Sequence, residues 1–477
     1  MKRTVSNIFY NSLYQVLILF VPLLTIPYVS RVLGTDGVGV NALVTSVANF
    51  FGTIIVIGLY QLGAREIAKA SRQKLRATFW ALWKLQLYSG VIVILLYVIS
   101  TLVFVDKNKL YYVLEVPFLI SYALDISWFF VGIGEIKKVI LRNTFIKVLS
   151  LGLIFVLVKN PSDLWIYVLI LSGSNLLANL IFLTNLKHAL PDTVHSDLNR
   201  LSQRYLKSAL ALLLPQIALQ LYTNLDDVLV GGIAGASQLA YYDQSQRIAR
   251  IVVTILTSAS TVVMPKLAAI KNEKQFNRIF ELSLDITLVA ALFLCCLMMV
   301  NSQSFVLWYY GAGFRSMVNN MFYISPIIVL ISYGGVFSNQ YMLAKGEFTK
   351  FSVPYYFGGV LNIILNVILV RRYGANGGTV SLLITESVIC LSRLVLVKNE
   401  LQLRSVLKGQ YKYLLVFVGT LLLKIIFPVE IEGEYFISLI LQSVVTTIVF
   451  VFGLFLLKTN VAIQFKRLWL DFIKSRG

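Results

Sequence analysis

Apolar residues run through this chain in long blocks instead of the short alternations or narrow stripes of a water-soluble fold. The blocks fall at about 6–30, 38–63, 79–104, 110–134, 139–158, 163–186, 207–232, 237–264, 281–304, 318–343, 350–370, 376–397, 411–428 and 434–457. A hydrocarbon core of roughly 30 Å is crossed by about 20 apolar residues in a helix, so each block predicts one transmembrane span. The loops between them are too short to fold alone. The pattern therefore predicts an all-α polytopic membrane protein of about 14 transmembrane helices, and it confines the chemistry to the few polar side chains that the spans carry.

The blocks repeat. Shifting the first half by about 201 places lays Gly34 on Gly235 and Val40 on Tyr241, with span order preserved. Six helices followed by six more in the same membrane sense predict two lobes with pseudo-two-fold symmetry about the membrane normal. The expected division is 1–206 for the first lobe and its inner loop, 207–410 for the second, and 411–477 for two further helices and a cytoplasmic tail. Proline adds local expectations: Pro22 and Pro27 break span one, Pro215 lies in span seven and Pro326 in span ten, and each either marks a bending or cavity-lining helix or is simply tolerated in a packed bundle.

Composition agrees with a membrane protein, since 58% of residues are hydrophobic and only 13% charged, about half the charged share of a soluble domain. The net charge of +20 would suit a nucleic-acid ligand, but its placement argues otherwise. With both termini inside, about 29 Lys/Arg fall on the inner side, about 8 outside and about 5 within spans, as the positive-inside rule requires. Arg65, Lys69, Arg72, Lys74 and Arg76 crowd one inner loop and Lys266, Lys271, Lys274 and Arg278 its counterpart, which suits anionic lipid headgroups and no nucleic acid. Lys2 and Arg3 precede a stretch too long for a cleavable signal core, so the first helix is expected to be retained. Cys295, Cys296 and Cys390 lie in spans without metal-ligand spacing and are expected to pack; no metal or other cofactor is expected.

Polar residues within the spans are patterned. Gln216, Gln220, Asn224 and Asp227 share one face of span seven, at spacings of four, four and three. Span one carries Asn7, Asn11 and Gln15; Asn175 with Asn179, and Asn362 with Asn366, repeat the four-residue spacing. Two readings stand for such stripes: hydrogen-bonding glue between helices, worth about 0.6 kcal/mol each, or the wall of a wet cavity for hydroxyl-rich cargo. Charges are rarer, because each costs roughly 2.5–3.5 kcal/mol at a span centre unless it meets a partner or water. Asp243, Arg247 and Arg250 share a face of span eight, and Asp226 and Asp227 lie in the outer half of span seven. Arginine there is a bidentate phosphate donor and aspartate a proton or sodium carrier, or else the pair is a static salt bridge. Asp125 and Lys147 sit at matched depth on consecutive spans and can pair or exchange an ion. Glu386 and Arg393 lie on one span without an assigned partner, and Lys84 and Asp285 are placed to snorkel. Trp128, Tyr222, Tyr241 and Tyr242 lie near the stripes, either as packing residues or as sugar platforms.

At this point the chain resembles the polysaccharide transporter family, with its Wzx-type oligosaccharide flippases, of the multidrug/oligosaccharidyl-lipid/polysaccharide (MOP) flippase superfamily. The resemblance is carried by Asn11 and Tyr14 ahead of Pro22 to Gly34 (PLLTIPYVSRVLG), by Gly63 to Ala68 (GAREIA), by Leu214 to Asp226 (LPQIALQLYTNLD), and by Gly374 to Gly378 (GANGG). It implies two six-helix lobes around a central cavity. By alternating access, an undecaprenyl-pyrophosphate-linked oligosaccharide would pass from the inner to the outer leaflet of the bacterial cytoplasmic membrane. Capsule, O-antigen and exopolysaccharide units are the implied cargo, with polysaccharide assembly machinery as a partner. Relatives that flip peptidoglycan precursor use cavity arginines for pyrophosphate. Arg31 follows the family's Ser-Arg-x-Leu-Gly pattern, and Arg247 falls where those relatives place a span-eight arginine. Span two here has none, which disfavours that precursor. Without a phosphate-binding loop, a cation gradient is the expected energy source. Cation-coupled drug export on the same scaffold and an embedded glycan polymerase or ligase remain as alternatives.

Overall fold

The structure, a computed structural model, describes residues 2–190, 198–401, 406–426, 428, 431 and 433–474. Side chains are described from Val21 to Arg467 within these, except at 136, 187–188, 214–215, 218–219, 221–223, 259, 261 and 425. Helices account for the architecture, and no strand occurs among the described residues. Two compact units divide between Ala240 and Tyr241.

The first unit holds α1 (Lys2–Val56), α2 (Leu59–Lys69), α3 (Leu75–Phe104), α4 (Lys109–Leu114), α5 (Val116–Leu124), α6 (Ser127–Gly132), α7 (Ile136–Leu157), α8 (Leu164–Thr184), the short α9 (Leu186–Ala189) and α10 (Leu198–Ala234). The second holds most of α11 (Ala236–Ala269), then α12 (Glu273–Val300), α13 (Ser302–Tyr309), α14 (Met317–Ile324) and α15 (Ile327–Gly335). It continues with a π-helical turn (Val336–Met342), α16 (Phe348–Val397), α17 (Tyr411–Ile426), α18 (Tyr435–Leu456) and α19 (Asn460–Lys474). Ten described helices are long and apolar enough to cross a membrane. Two of the ten, over Val21–Lys69 and Phe348–Val397, carry two sequence-drawn spans apiece, and α10 and α17 carry the seventh and thirteenth.

The breaks follow glycine more than proline. Pro22 and Pro27 were expected to break span one, yet α1 runs through both and turns at Gly34, where φ is 67°. Proline costs a helix one hydrogen bond, whereas a left-handed φ is strained for any residue with a Cβ. Gly374 turns α16 in the same way at φ 55°. Gly235, the repeat partner of Gly34, joins α10 to α11 at φ 92°, so both halves turn at the same repeat position. Gly39 lets the backbones touch: a Cβ there would lie 1.8 Å from the Ala236 carbonyl oxygen.

Burial is inverted relative to a soluble helix, as lipid demands. On α3 the inward face carries Leu82, Gln86, Ser89, Val93, Tyr97 and Thr101, while Val91, Ile92, Leu95, Leu96 and Ile99 are exposed. On α18, Ser438, Gln442 and Thr446 are buried and Val444, Val445 and Ile448 are exposed. Polar groups turn inward because hydrocarbon offers them no hydrogen bonds. Aromatic packing fills the first unit's core, where Trp128 stacks on Phe79 at 5.6 Å and 26° and Phe130 lies 4.1 Å from Phe182. In the second unit Phe276, Phe280, Phe337 and Tyr341 form one cluster, and Leu288, Tyr413, Val416 and Phe450 another.

The fourth span is not one helix. It is broken at Glu115 and at Asp125 into α4, α5 and α6. Gln86 fills the second break: its amide donates to the carbonyls of Tyr122 (2.6 Å) and Asp125 (2.9 Å), and its oxygen accepts from Trp128 Nε1 at 3.0 Å. Trp128, 1% exposed, is thus a core residue. Asp285 does not snorkel. It is buried and accepts from Gln410 at 3.1 Å and Asn460 at 3.2 Å, fastening the starts of α17 and α19 to α12.

Candidate functional site

In the first unit α10 packs along α1, and the predicted polar face of α10 is used. Gln216 donates to Gln61 Oε1 at 2.7 Å, and the Asn224 amide donates to the Gln220 side-chain oxygen one turn earlier. Asp227 accepts from the Ser46 hydroxyl at 2.8 Å. Asp226 is wholly buried and points elsewhere, because consecutive helical residues diverge by about 100°. The next-door pair on α1 behaves likewise: Thr45 donates to Glu115 at 2.8 Å. Glu115, 2% exposed, was not singled out from sequence; a carboxylate inside an apolar block two residues before Pro117 was the available signal. Tyr122 extends this polar seam by donating to Asn49 at 3.1 Å. Asn11 and Gln15 lie on α1 with side chains outside the described residues. Arg31 is exposed, three residues before the Gly34 turn.

In the second unit α11 carries Asp243, Arg247 and Arg250 on one face. Arg247 pairs with Asp243 at 3.5 Å, with 47% of the arginine side chain exposed against 11% of the aspartate's. Gln244 also donates to Asp243, at 2.7 Å. The carboxylate is thereby held from two sides, by Arg247 and by Gln244. Arg250 Nε and Nη2 are buried and donate no hydrogen bond to the described residues. Two arginines one turn apart can together grip an oxyanion in forked geometry.

A third polar centre lies among α5, α7 and α8. Asp125 and Lys147, predicted from matched depth, line one cavity of about 250 Å³ together with Arg142, Asn143, Asn175 and Asn179. No ion pair joins Asp125 and Lys147 among the described residues; Asp125 Oδ1 instead accepts from the Ser127 backbone N–H at 2.8 Å, capping α6. Arg142 was missed because it lies near a span end, where arginine ordinarily snorkels.

The remaining polar pairs are internal. Asn366 donates to the Asn362 carbonyl and side-chain oxygens at 3.1 and 3.0 Å. Arg393, buried with Glu386, stacks over the Tyr355 ring at 4.9 Å. The three cysteines are buried and unbridged. Among the described residues no cluster of His, Cys, Asp and Glu could hold a metal ion.

Comparison with known proteins places the chain in a family. The profile of a family described as "Polysaccharide biosynthesis protein" matches residues 4–271. A protein of Escherichia coli (strain K12) to which the role of O-antigen transporter is attributed is 24% identical over 405 residues, covering 83% of this chain and 96% of its own. A Shigella dysenteriae protein with the same attribution is 21% identical, covering 79% and 96%. Among solved structures, the lipid II flippase MurJ in an inward closed conformation superposes with a TM-score of 0.74 at 14% identity, covering 93% of this chain and 98% of that one. An inward-facing multidrug resistance MATE family transporter of the MOP superfamily gives 0.59 at 16% identity, covering 80% and 94%. These two likenesses are of fold, and they establish the all-α architecture of the MurJ and MATE transporters for this chain. Because the family profile spans more than half of its length, the protein belongs to the polysaccharide biosynthesis protein family.

Proposed function

We propose that this protein is a flippase for a lipid-linked oligosaccharide, carrying an undecaprenyl-pyrophosphate-linked repeat unit of a surface glycan from the inner to the outer leaflet of a bacterial cytoplasmic membrane. The observation that carries this reading is the match to the two O-antigen transporter relatives, which extends over nearly their whole length. The physical problem is clear. A head of sugars and pyrophosphate cannot cross hydrocarbon alone, since each unsatisfied polar group costs several kcal/mol there, and the membrane helices must supply replacement partners. Arg247 and Arg250, with Arg31, are assigned to the pyrophosphate. Gln216, Gln220 and Asn224, with Asn11 and Gln15, are assigned to sugar hydroxyls. Asp226, Asp227 and Asp243 are assigned to coupling a proton or sodium gradient, with lobes 1–206 and 207–410 alternating access. The excess of Lys and Arg on one set of loops supports cytoplasmic termini.

Deletion of the gene tests the proposal. Loss of surface glycan with lipid-linked units accumulating at the inner leaflet is expected, and unchanged surface glycan refutes it. Heightened drug sensitivity with intact glycan would favour drug export instead. Shortened polymer without accumulated units would favour an enzyme.

A further inference from the structure

We infer that the cavity among α5, α7 and α8 of the first unit is a binding site for an oxyanion: a carboxylate or phosphate group of a small ligand. The inference stands on this cavity alone and holds whether or not the cargo is the one proposed above.

The charge inventory is the starting point. Arg142 and Lys147 face the cavity with a single carboxylate, Asp125. That carboxylate is already engaged by the α6 backbone at 2.8 Å, and Lys147 makes neither an ion pair nor a hydrogen bond among the described residues. Lys147 lies within the membrane-spanning α7, where a lysine must be compensated by an anion or by water. The second consideration is preorganisation. Arg142 donates through Nε and Nη2 to Asn143 Oδ1 at 2.9 and 2.7 Å and through Nη1 to Asn179 Oδ1 at 2.8 Å. Its plane also stacks over Phe182 at 4.3 Å. Two amide oxygens thus orient the guanidinium at the cavity wall, and a positioned guanidinium is what forked oxyanion binding requires. The third consideration is room. About 250 Å³ is the liquid volume of about eight waters, enough for one acid group, part of a sugar ring and its residual hydration. Asn175 adds a further amide to the wall. The same inventory disfavours a sodium ion, which two cations would repel.

The test is ligand-dependent unfolding of the purified full chain in detergent, using sodium phosphate, sodium glucuronate and sodium chloride at equal ionic strength. Phosphate or glucuronate is expected to raise the apparent melting temperature saturably, by about 1–2 °C at ten times the half-saturating concentration. Chloride is expected to raise it less. Lys147→Gln should raise the half-saturating concentration at least about tenfold. Lys147→Arg, which keeps the charge, and Lys107→Gln, on an exposed loop, should retain the response. A response to phosphate alone identifies a phosphate group, and one to glucuronate alone a carboxylate. No response to either oxyanion, an equal response to chloride, or an undiminished response in Lys147→Gln overturns the inference.

Discussion

Replacing Gln86 by methionine tests how this fold tolerates a broken helix in hydrocarbon. Methionine keeps the volume and flexibility of glutamine, so packing changes little. What disappears is the set of three hydrogen bonds at 2.6, 2.9 and 3.0 Å, to the Tyr122 and Asp125 carbonyls and from the Trp128 indole. Gln86 is 0% exposed, so water cannot replace it. At about 0.6 kcal/mol per bond, the average inside membrane proteins, the loss is about 2 kcal/mol; at about 1 kcal/mol, the soluble-protein value, it is about 3 kcal/mol. Denaturant titration in mixed micelles, followed by tryptophan fluorescence, would measure it. Trp128→Phe removes one of the three bonds and should cost about 1 kcal/mol, and the double mutant should show a coupling of about 0.6–1 kcal/mol. A Gln86→Met protein within about 0.5 kcal/mol of wild type, or zero coupling, would refute the view that this side chain supports the break that presents Asp125 to its cavity.

Three further outcomes are expected. Gly39→Ala should destabilise by about 1–3 kcal/mol, because its Cβ would meet the Ala236 carbonyl, whereas Gly232→Ala, with nothing within 4 Å, should be near neutral; thermal unfolding of both variants checks this. Asp285→Ala leaves the Gln410 and Asn460 amides without their carboxylate. It should speed backbone hydrogen exchange over residues 460–467, by an opening free energy lowered about 1–3 kcal/mol. Arg247→Ala should abolish glycan export in complementation of a deletion strain while membrane abundance stays unchanged, since Asp243 keeps its bond from Gln244; loss of the folded protein would mark the pair as structural.

Sequence alone determined the class of this molecule, because the hydrocarbon thickness imposes a length on every span and the cost of a buried polar group makes each exception visible. The repeat was legible too, down to the pairing of Gly34 with Gly235, since both turn at a φ that only glycine adopts without strain. The polar face of α10 was readable from helical spacing, and the Asp243–Arg247 pair from its separation of four. Tertiary structure decided the rest. Whether Asp125 would meet Lys147 depended on a backbone N–H at the start of α6, which no spacing rule reveals. Glu115 found Thr45 across a helix interface, and Arg142 became part of a cavity through Asn179 on α8. Periodicity reports which residues share a face of one helix; what that face meets is set by packing between helices distant in sequence, and in a membrane that packing assigns each polar group its partner.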